Sequence, residues 1–221
     1  MCIIRFCLLA ALALSAPAAK KDFIKLFNGK NLKGWTAAST AHWVVEDRAL
    51  ALKNRDDGKE HNDSYLWTRD QYGDFVLEIE YKVPVERANS GIFLRTSDKN
   101  DPVQTGIEIQ VANASPNRPL GRGSVGGIYD LVAPAKAAHR AGEWNRYVIT
   151  CQGPKITVML NGELTAEADL DQWTQPRLNP DGSKNKFTRA LKDFARKGCI
   201  GLQDHGLPVW YRNIRIKPLD K

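Results

Sequence analysis

Cysteine, histidine and long apolar runs are all scarce in this chain. Of its 221 residues four are Cys and four are His. Cys2 and Cys7 lie at the extreme N-terminus, which leaves Cys151 and Cys199 for the body. No Cys/His grouping has the spacing of a zinc site. Both remaining cysteines fall within apparent strands, and pairing depends on Cβ geometry that a sequence does not carry. A bridge and two buried thiols therefore both stand open. After the first eighteen residues no stretch approaches the roughly 20 apolar residues of a membrane-spanning helix. The glycine-rich dinucleotide fingerprint, the P-loop, the nucleophile elbow and any internal repeat are missing too. Lys and Arg outnumber Asp and Glu by 32 to 25, a formal charge of +7. The basic residues are scattered, however, and the densest spots, Lys184-Asn185-Lys186 and Arg196-Lys197, fall well short of a nucleic-acid-binding stripe. A solvated basic surface with no nucleic-acid partner is expected.

What is present begins with an export signal. Arg5 precedes the apolar run Leu8-Leu9-Ala10-Ala11-Leu12-Ala13-Leu14, followed by the small residues Ser15-Ala16-Pro17-Ala18. That order reads as a secretory signal peptide over residues 1–18, with Cys2 and Cys7 too early for a lipoprotein cleavage site. It implies export to the periplasm or the extracellular space. Residues 19–221 suit one domain large enough to bury a core without staples.

The body is a succession of short strands. Residues 75–83 alternate cleanly, with Phe75, Leu77, Ile79, Tyr81 and Val83 on one face and Val76, Glu78, Glu80 and Lys82 on the other. Residues 90–95 and 106–111 repeat the period. One packed and one polar face is the mark of an antiparallel sheet. Residues 144–151 and 155–160 form a hairpin across Gln152-Gly153-Pro154, and Asn161-Gly162 is a tight-turn dipeptide. The rhythm breaks over 171–197, where residues 187–194 suit a short amphipathic helix; another helical turn is expected over 135–138. Ile200 and Leu202, then Val209, Tyr211, Ile214 and Ile216, read as a closing hairpin around Gln203-Asp204-His205-Gly206. The fold class is all-β: a two-sheet antiparallel β-sandwich or jelly roll.

Candidate chemistry lies where polar side chains occupy strand faces or loop tips. A turn needs polar groups, but not an amide, a carboxylate and an imidazole in succession, as in Gln203, Asp204 and His205. Glu108 shares a strand face with Gln110, and the pair suits sugar hydroxyls. Arg95 ends its strand as a surface charge or an anion-stabilising group. Tyr129 and Trp210 serve as core or as sugar platform. Glu78 and Glu80 suit an exposed outer face, and His42, His61 and His139 suit the surface.

A set of short motifs then carries a resemblance. Leu26-Phe27-Asn28-Gly29-Lys30 through Gly34-Trp35, Trp43-Val44-Val45-Glu46-Asp47, Asn89-Ser90-Gly91-Ile92-Phe93-Leu94-Arg95 and Gly106-Ile107-Glu108-Ile109-Gln110 occur in order. Gly127-Ile128-Tyr129, Gly142-Glu143-Trp144-Asn145, Leu160-Asn161-Gly162 and Gly201-Leu202-Gln203-Asp204-His205-Gly206 follow. Together they resemble the secreted 3-keto-disaccharide hydrolase family along the whole mature chain. The resemblance implies a concanavalin A-like/laminin G-like jelly roll that cleaves the glycosidic bond of a sugar oxidised to a ketone at C3. Such a ketone acidifies the C2 proton, so a base can remove it, the enolate can expel the glycosidic oxygen, and water can add back. On that reading Glu108 or His205 is the base and Arg95 stabilises the oxyanion. Gln110, Tyr129, Gln203 and Asp204 position the sugar or His205. A divalent cation would be an alternative electrophile to Arg95, although no ligand spacing singles one out. The partner is a small carbohydrate, a 3-keto sugar. A non-catalytic carbohydrate-binding module of the same fold, or an envelope adhesion domain, are the rival classes.

Overall fold

The computed structural model describes residues 22–53, 59, 61–84, 87–113 and 119–219, with backbone only at residue 62. The expected signal peptide lies outside the described residues. Among those described, two antiparallel sheets face each other across one core. The larger takes the order β11 (Glu163–Asp169), β10 (Lys155–Leu160), β9 (Asn145–Gln152), β6 (Phe75–Lys82), β13 (Val209–Pro218), β4 (Ala49–Leu52) and β3 (Trp43–Glu46), with β1 (Ile24–Lys25) also on β13. The smaller runs β2 (Trp35–Thr36), β5 (Leu66–Thr68), β12 (Cys199–Leu202), β7 (Asn89–Thr96) and β8 (Ile107–Ala112).

The two-residue period sets which side chains meet in the middle. Phe75, Leu77, Ile79 and Tyr81 of β6 are buried and alternate with half-buried Val76, Glu78, Glu80 and Lys82. They join Ile92 and Leu94 of β7, Ile107, Ile109 and Val111 of β8, and Ile200 and Leu202 of β12 in one cluster. Polar Glu78 and Glu80 thus lie on the outer face of the large sheet. There Arg146 and Arg215 pair with Glu78 at 2.8 and 2.6 Å, and Arg212 pairs with Glu80 at 2.7 Å.

Several local expectations are corrected. Strands β12 and β13 do not form a hairpin. Each pairs within a different sheet, so residues 203–208 cross from one layer to the other. The apolar pattern is the same in both cases, because both strands send their side chains into the same core from opposite sides. The shift of parity between Tyr211 and Ile214 is a β-bulge. Arg212 faces Glu80 and Arg215 faces Glu78, which leaves an extra residue, and Asn213 takes φ 51°. Residues 187–194 form no amphipathic helix, only a 3₁₀ turn over Leu191–Asp193. Phe187, Leu191 and Phe194 are buried from an irregular segment instead. No helical turn forms over 135–138. A four-residue helix, α1 (Pro102–Thr105), links β7 to β8.

Cys151 and Cys199 are free and buried. Cys151 belongs to the inter-sheet core, whereas Cys199 packs with Tyr65, Trp67 and Phe93 in a second cluster. The two side chains point into different layers, which precludes a bridge.

Candidate active site

The second cluster shows that the outer face of the small sheet is covered. Tyr65, Trp67 and Phe93 pack in tilted and edge-on contacts with ring centroids 5.6–6.1 Å apart. Val103 of α1 packs against them. Next to this aromatic floor the same face carries two rows of residues. In the first, Gly201 of β12 pairs with Phe93 of β7, which pairs with Glu108 of β8. In the second, the Gln203 amide donates to the Gly91 carbonyl at 3.0 Å, and Gly91 pairs with Gln110.

Two glycines make room there. A Cβ on Gly91 would sit closer than 3.0 Å to Glu108 Oε1, so the carboxylate leans across the bare backbone of position 91. A Cβ on Gly201 would likewise overlap the Trp67 ring. The result places Glu108, Gln110 and Gln203 around one glycine, with all three residues only 4–6 % exposed. Gln110 Nε2 donates to Asn89 Oδ1 at 2.9 Å, while its Oε1 has no hydrogen-bond partner among the described residues. A buried amide oxygen of that kind is an acceptor available to a hydroxyl.

The crossing loop is anchored from three sides. Asp204 is fully buried; Oδ2 accepts from Ser64 Oγ, and Oδ1 accepts from the Gly206 amide at 2.9 Å. Its carbonyl accepts from the His61 amide at 2.9 Å. Asp204 therefore holds the loop that presents His205 rather than facing a sugar itself. His205 is half-buried, and its Nδ1 has no hydrogen-bond partner among the described residues. From the core side, Ser90 Oγ donates to the Gln203 carbonyl at 2.8 Å and meets the Tyr211 hydroxyl at 2.7 Å. Tyr147 donates to the Gln110 carbonyl at 2.7 Å and accepts from the Gly126 amide at 2.8 Å. Burial holds both phenols protonated, with pKa values pushed well above the usual tyrosine range.

Arg95 is not part of this arrangement. Alternation from Gly91 and Phe93 would place it on the outer face. A bulge intervenes: Phe93 pairs with Gly201 and Thr96 with Cys199, and Arg95 adopts φ 52°. Its side chain is 2 % exposed and turns to the end of the large sheet. Nε donates to Gly73 O and Nη1 to Gly153 O, both at 2.7 Å, and Nη2 to Asp74 Oδ1 at 2.9 Å. A guanidinium with these acceptors ties two turns together and is not poised to meet an oxyanion.

Lys186 escaped the reading of the sequence, where Lys184-Asn185-Lys186 counted only as basic surface. Its Nζ lies 3.7 Å from Glu108 Oε2 and 4.1 Å from the centroid of the half-buried Tyr129 ring. The signal was present as a basic residue beside an asparagine in the segment that breaks the strand rhythm, but nothing local placed it over β8. Trp210 lies elsewhere, on the outer face of the large sheet, donating to Glu46 at 2.8 Å. A depression of about 600 Å³ on that other face is lined by Glu78, Glu80, Arg146, Arg212 and Arg215. Its Glu78 and Glu80 carboxylates are paired with the arginines named above. Among the described residues no group of three or more His, Cys, Asp or Glu is arranged to hold a metal ion.

The family described as 3-keto-alpha-glucoside-1,2-lyase-like domain matches residues 22–217. A 3-keto-disaccharide hydrolase of Bacteroides thetaiotaomicron is 28 % identical over 239 aligned positions, covering 94 % of this chain and 82 % of that one. A provisionally named glycosyl hydrolase of Parabacteroides distasonis, known from a crystal structure, superposes with a TM-score of 0.76. It is 31 % identical, with 90 % of this chain and all of that one covered. A Bacillus subtilis protein of unknown function with a galectin-like fold shares the fold, with a TM-score of 0.55 at 15 % identity over 89 % of this chain and 94 % of that one.

Proposed function

Because the chain belongs to the 3-keto-alpha-glucoside-1,2-lyase-like domain family, we propose that it hydrolyses the glycosidic bond of 3-keto-disaccharides by elimination across C1 and C2 followed by hydration. The observation that carries this reading is the buried carboxylate of Glu108 leaning over Gly91, between the amides of Gln110 and Gln203. The substrate ketone makes the C2 hydrogen acidic, so a single well-placed base suffices to start the reaction. Ordinary glycosidases need two opposed carboxylates instead, and no second acid joins Glu108 among the residues assembled here.

In this scheme Glu108 takes the C2 proton and the resulting enolate expels the C1 oxygen. His205, on its anchored loop, gives the departing oxygen a proton. Water then adds to the unsaturated sugar, which completes a hydrolysis without net oxidation or reduction. Gln110 and Gln203 hold ring hydroxyls, and Tyr129 offers a ring face. Its place of action in this proposal is outside the cytoplasm, on the reading of residues 1–18 as an export signal.

The test is incubation of the protein with 3-keto-trehalose, 3-keto-lactose and their unoxidised parents, with and without chelator, following free monosaccharide. Release from the keto sugars alone is expected, and Glu108→Gln is expected to lower it by about 10²–10⁴-fold with an unchanged circular dichroism spectrum. Release from the parents points to ordinary glycosidase chemistry. Binding without release points to a carbohydrate-binding module.

A further inference from the structure

The elimination proposed above requires something to stabilise negative charge on the C3 oxygen, and Arg95 is engaged elsewhere. We propose that Lys186 is that group: its ammonium faces the C3 carbonyl oxygen while Glu108 removes the neighbouring C2 proton. This rests on the functional reading of the same site.

Three observations carry it. First, Lys186 Nζ is 3.7 Å from Glu108 Oε2. A base and an oxyanion donor that serve adjacent atoms of one substrate, each at about 3 Å from its target, must themselves lie within a few ångströms of each other. Second, Nζ lies over the Tyr129 ring at 4.1 Å and 5.5 Å from the Phe187 ring centroid, with the side chain 27 % exposed. Aromatic faces hold an ammonium without consuming its three N–H donors. Third, the backbone around it is clamped, unlike that of a surface lysine. The Lys186 amide donates to Asp130 Oδ2 at 2.6 Å, and its carbonyl accepts from Gln104 Nε2 at 3.2 Å. The Thr188 amide donates to Gln104 Oε1 at 2.8 Å, and the Phe187 side chain is buried beside Phe194. An electrostatic stabiliser works to the extent that it is held in place before the reaction.

The step balances. As the C2–H bond breaks, its electron pair forms the C2–C3 double bond and the carbonyl pair moves to oxygen, beside Lys186. When the enolate collapses, the C3 carbonyl is restored, C1 and C2 become doubly bonded, and the C1–O bond breaks with its electrons on the departing oxygen.

The experiment compares wild type, Lys186→Arg and Lys186→Met on whichever of 3-keto-trehalose and 3-keto-lactose wild type cleaves faster. It records kcat, KM, the melting temperature and C2 hydrogen exchange in D₂O by NMR. Lys186→Met is expected to lower kcat and C2 exchange together by about 10²–10³-fold, with KM within a few-fold and melting unchanged. Lys186→Arg is expected to recover at least tenfold of that loss. A Lys186→Met protein with kcat within threefold of wild type overturns the role. So does an equal loss in both variants accompanied by a lower melting temperature, which marks a structural residue. If the wild type itself neither cleaves nor exchanges either keto sugar, the functional reading falls, and this role with it.

Discussion

Arg95 is a buried cation with a backbone conformation that an L-residue seldom adopts, φ 52°. The bulge at this position turns the guanidinium away from the outer face and into the ends of the β5–β6 and β9–β10 connections, where Gly73, Gly153 and Asp74 accept its hydrogen bonds. Removing one partner of a buried ion pair strands the other, at a cost of about 3–5 kcal/mol when both are buried. Asp74 is 33 % exposed, so Arg95→Met is expected near the lower end, about 3 kcal/mol. Chemical denaturation measures that loss. Turnover per folded molecule should stay near wild type, and a large fall in kcat with unaltered stability would return Arg95 to the chemistry.

At the scale of elements, the site depends on what two adjacent strands omit. Strand β7 presents Gly91 and strand β12 presents Gly201, and the missing side chains let Glu108 and Trp67 lie across the sheet. Gly91→Ala keeps an accessible backbone conformation, so its effect comes from pushing the Glu108 carboxylate off its seat. Misplacement of a reacting group by about 1 Å costs up to 10²-fold, and kcat/KM of Gly91→Ala is expected to fall by roughly 10- to 100-fold. Overpacking strain costs about 1–3 kcal/mol, which a denaturation curve separates from the kinetic effect. Equal kcat/KM in the two proteins would show that Glu108 is not the base.

Across the whole molecule, the two sheets are joined by more than apolar contact. Tyr81, Tyr147 and Tyr211 project from the large sheet, and the hydroxyls of the latter two reach the backbone or Ser90 of the small one. Tyr81 stacks on Tyr147 with centroids 5.1 Å apart and meets His139 Nδ1 at 3.0 Å. His139 was expected on the surface, but it is half-buried, and burial lowers its pKa from 6.5 to about 4. The unfolded chain therefore takes up a proton at this ring as pH falls below 6.5, while the folded chain resists until about 4. The stability linked to His139 is fully present above pH 6.5 and is lost as pH falls through that window. Denaturation midpoints measured from pH 7 to 4 should show this decline, and His139→Gln should flatten it. An identical decline in the variant would place the acid sensitivity in other groups.

The sequence by itself determined the class of fold and much of its register. Clean alternation in residues 75–82 allows only one face to be buried, and a one-residue slip would expose Phe75, Leu77, Ile79 and Tyr81 together. The same pattern placed Glu108 and Gln110 on one face of β8, and the motifs around them made the family legible. Only the tertiary structure decided where the strands of residues 199–218 belong, because strands from opposite sheets carry identical inward patterns when they share a core. It also decided Arg95, since one bulged residue reverses a side chain and the period says nothing about where bulges fall. Lys186 reaches Glu108 across 78 residues of chain, from an irregular segment held by Asp130 and Gln104. No local propensity encodes such a contact; it exists only once both layers and the segment covering them have packed.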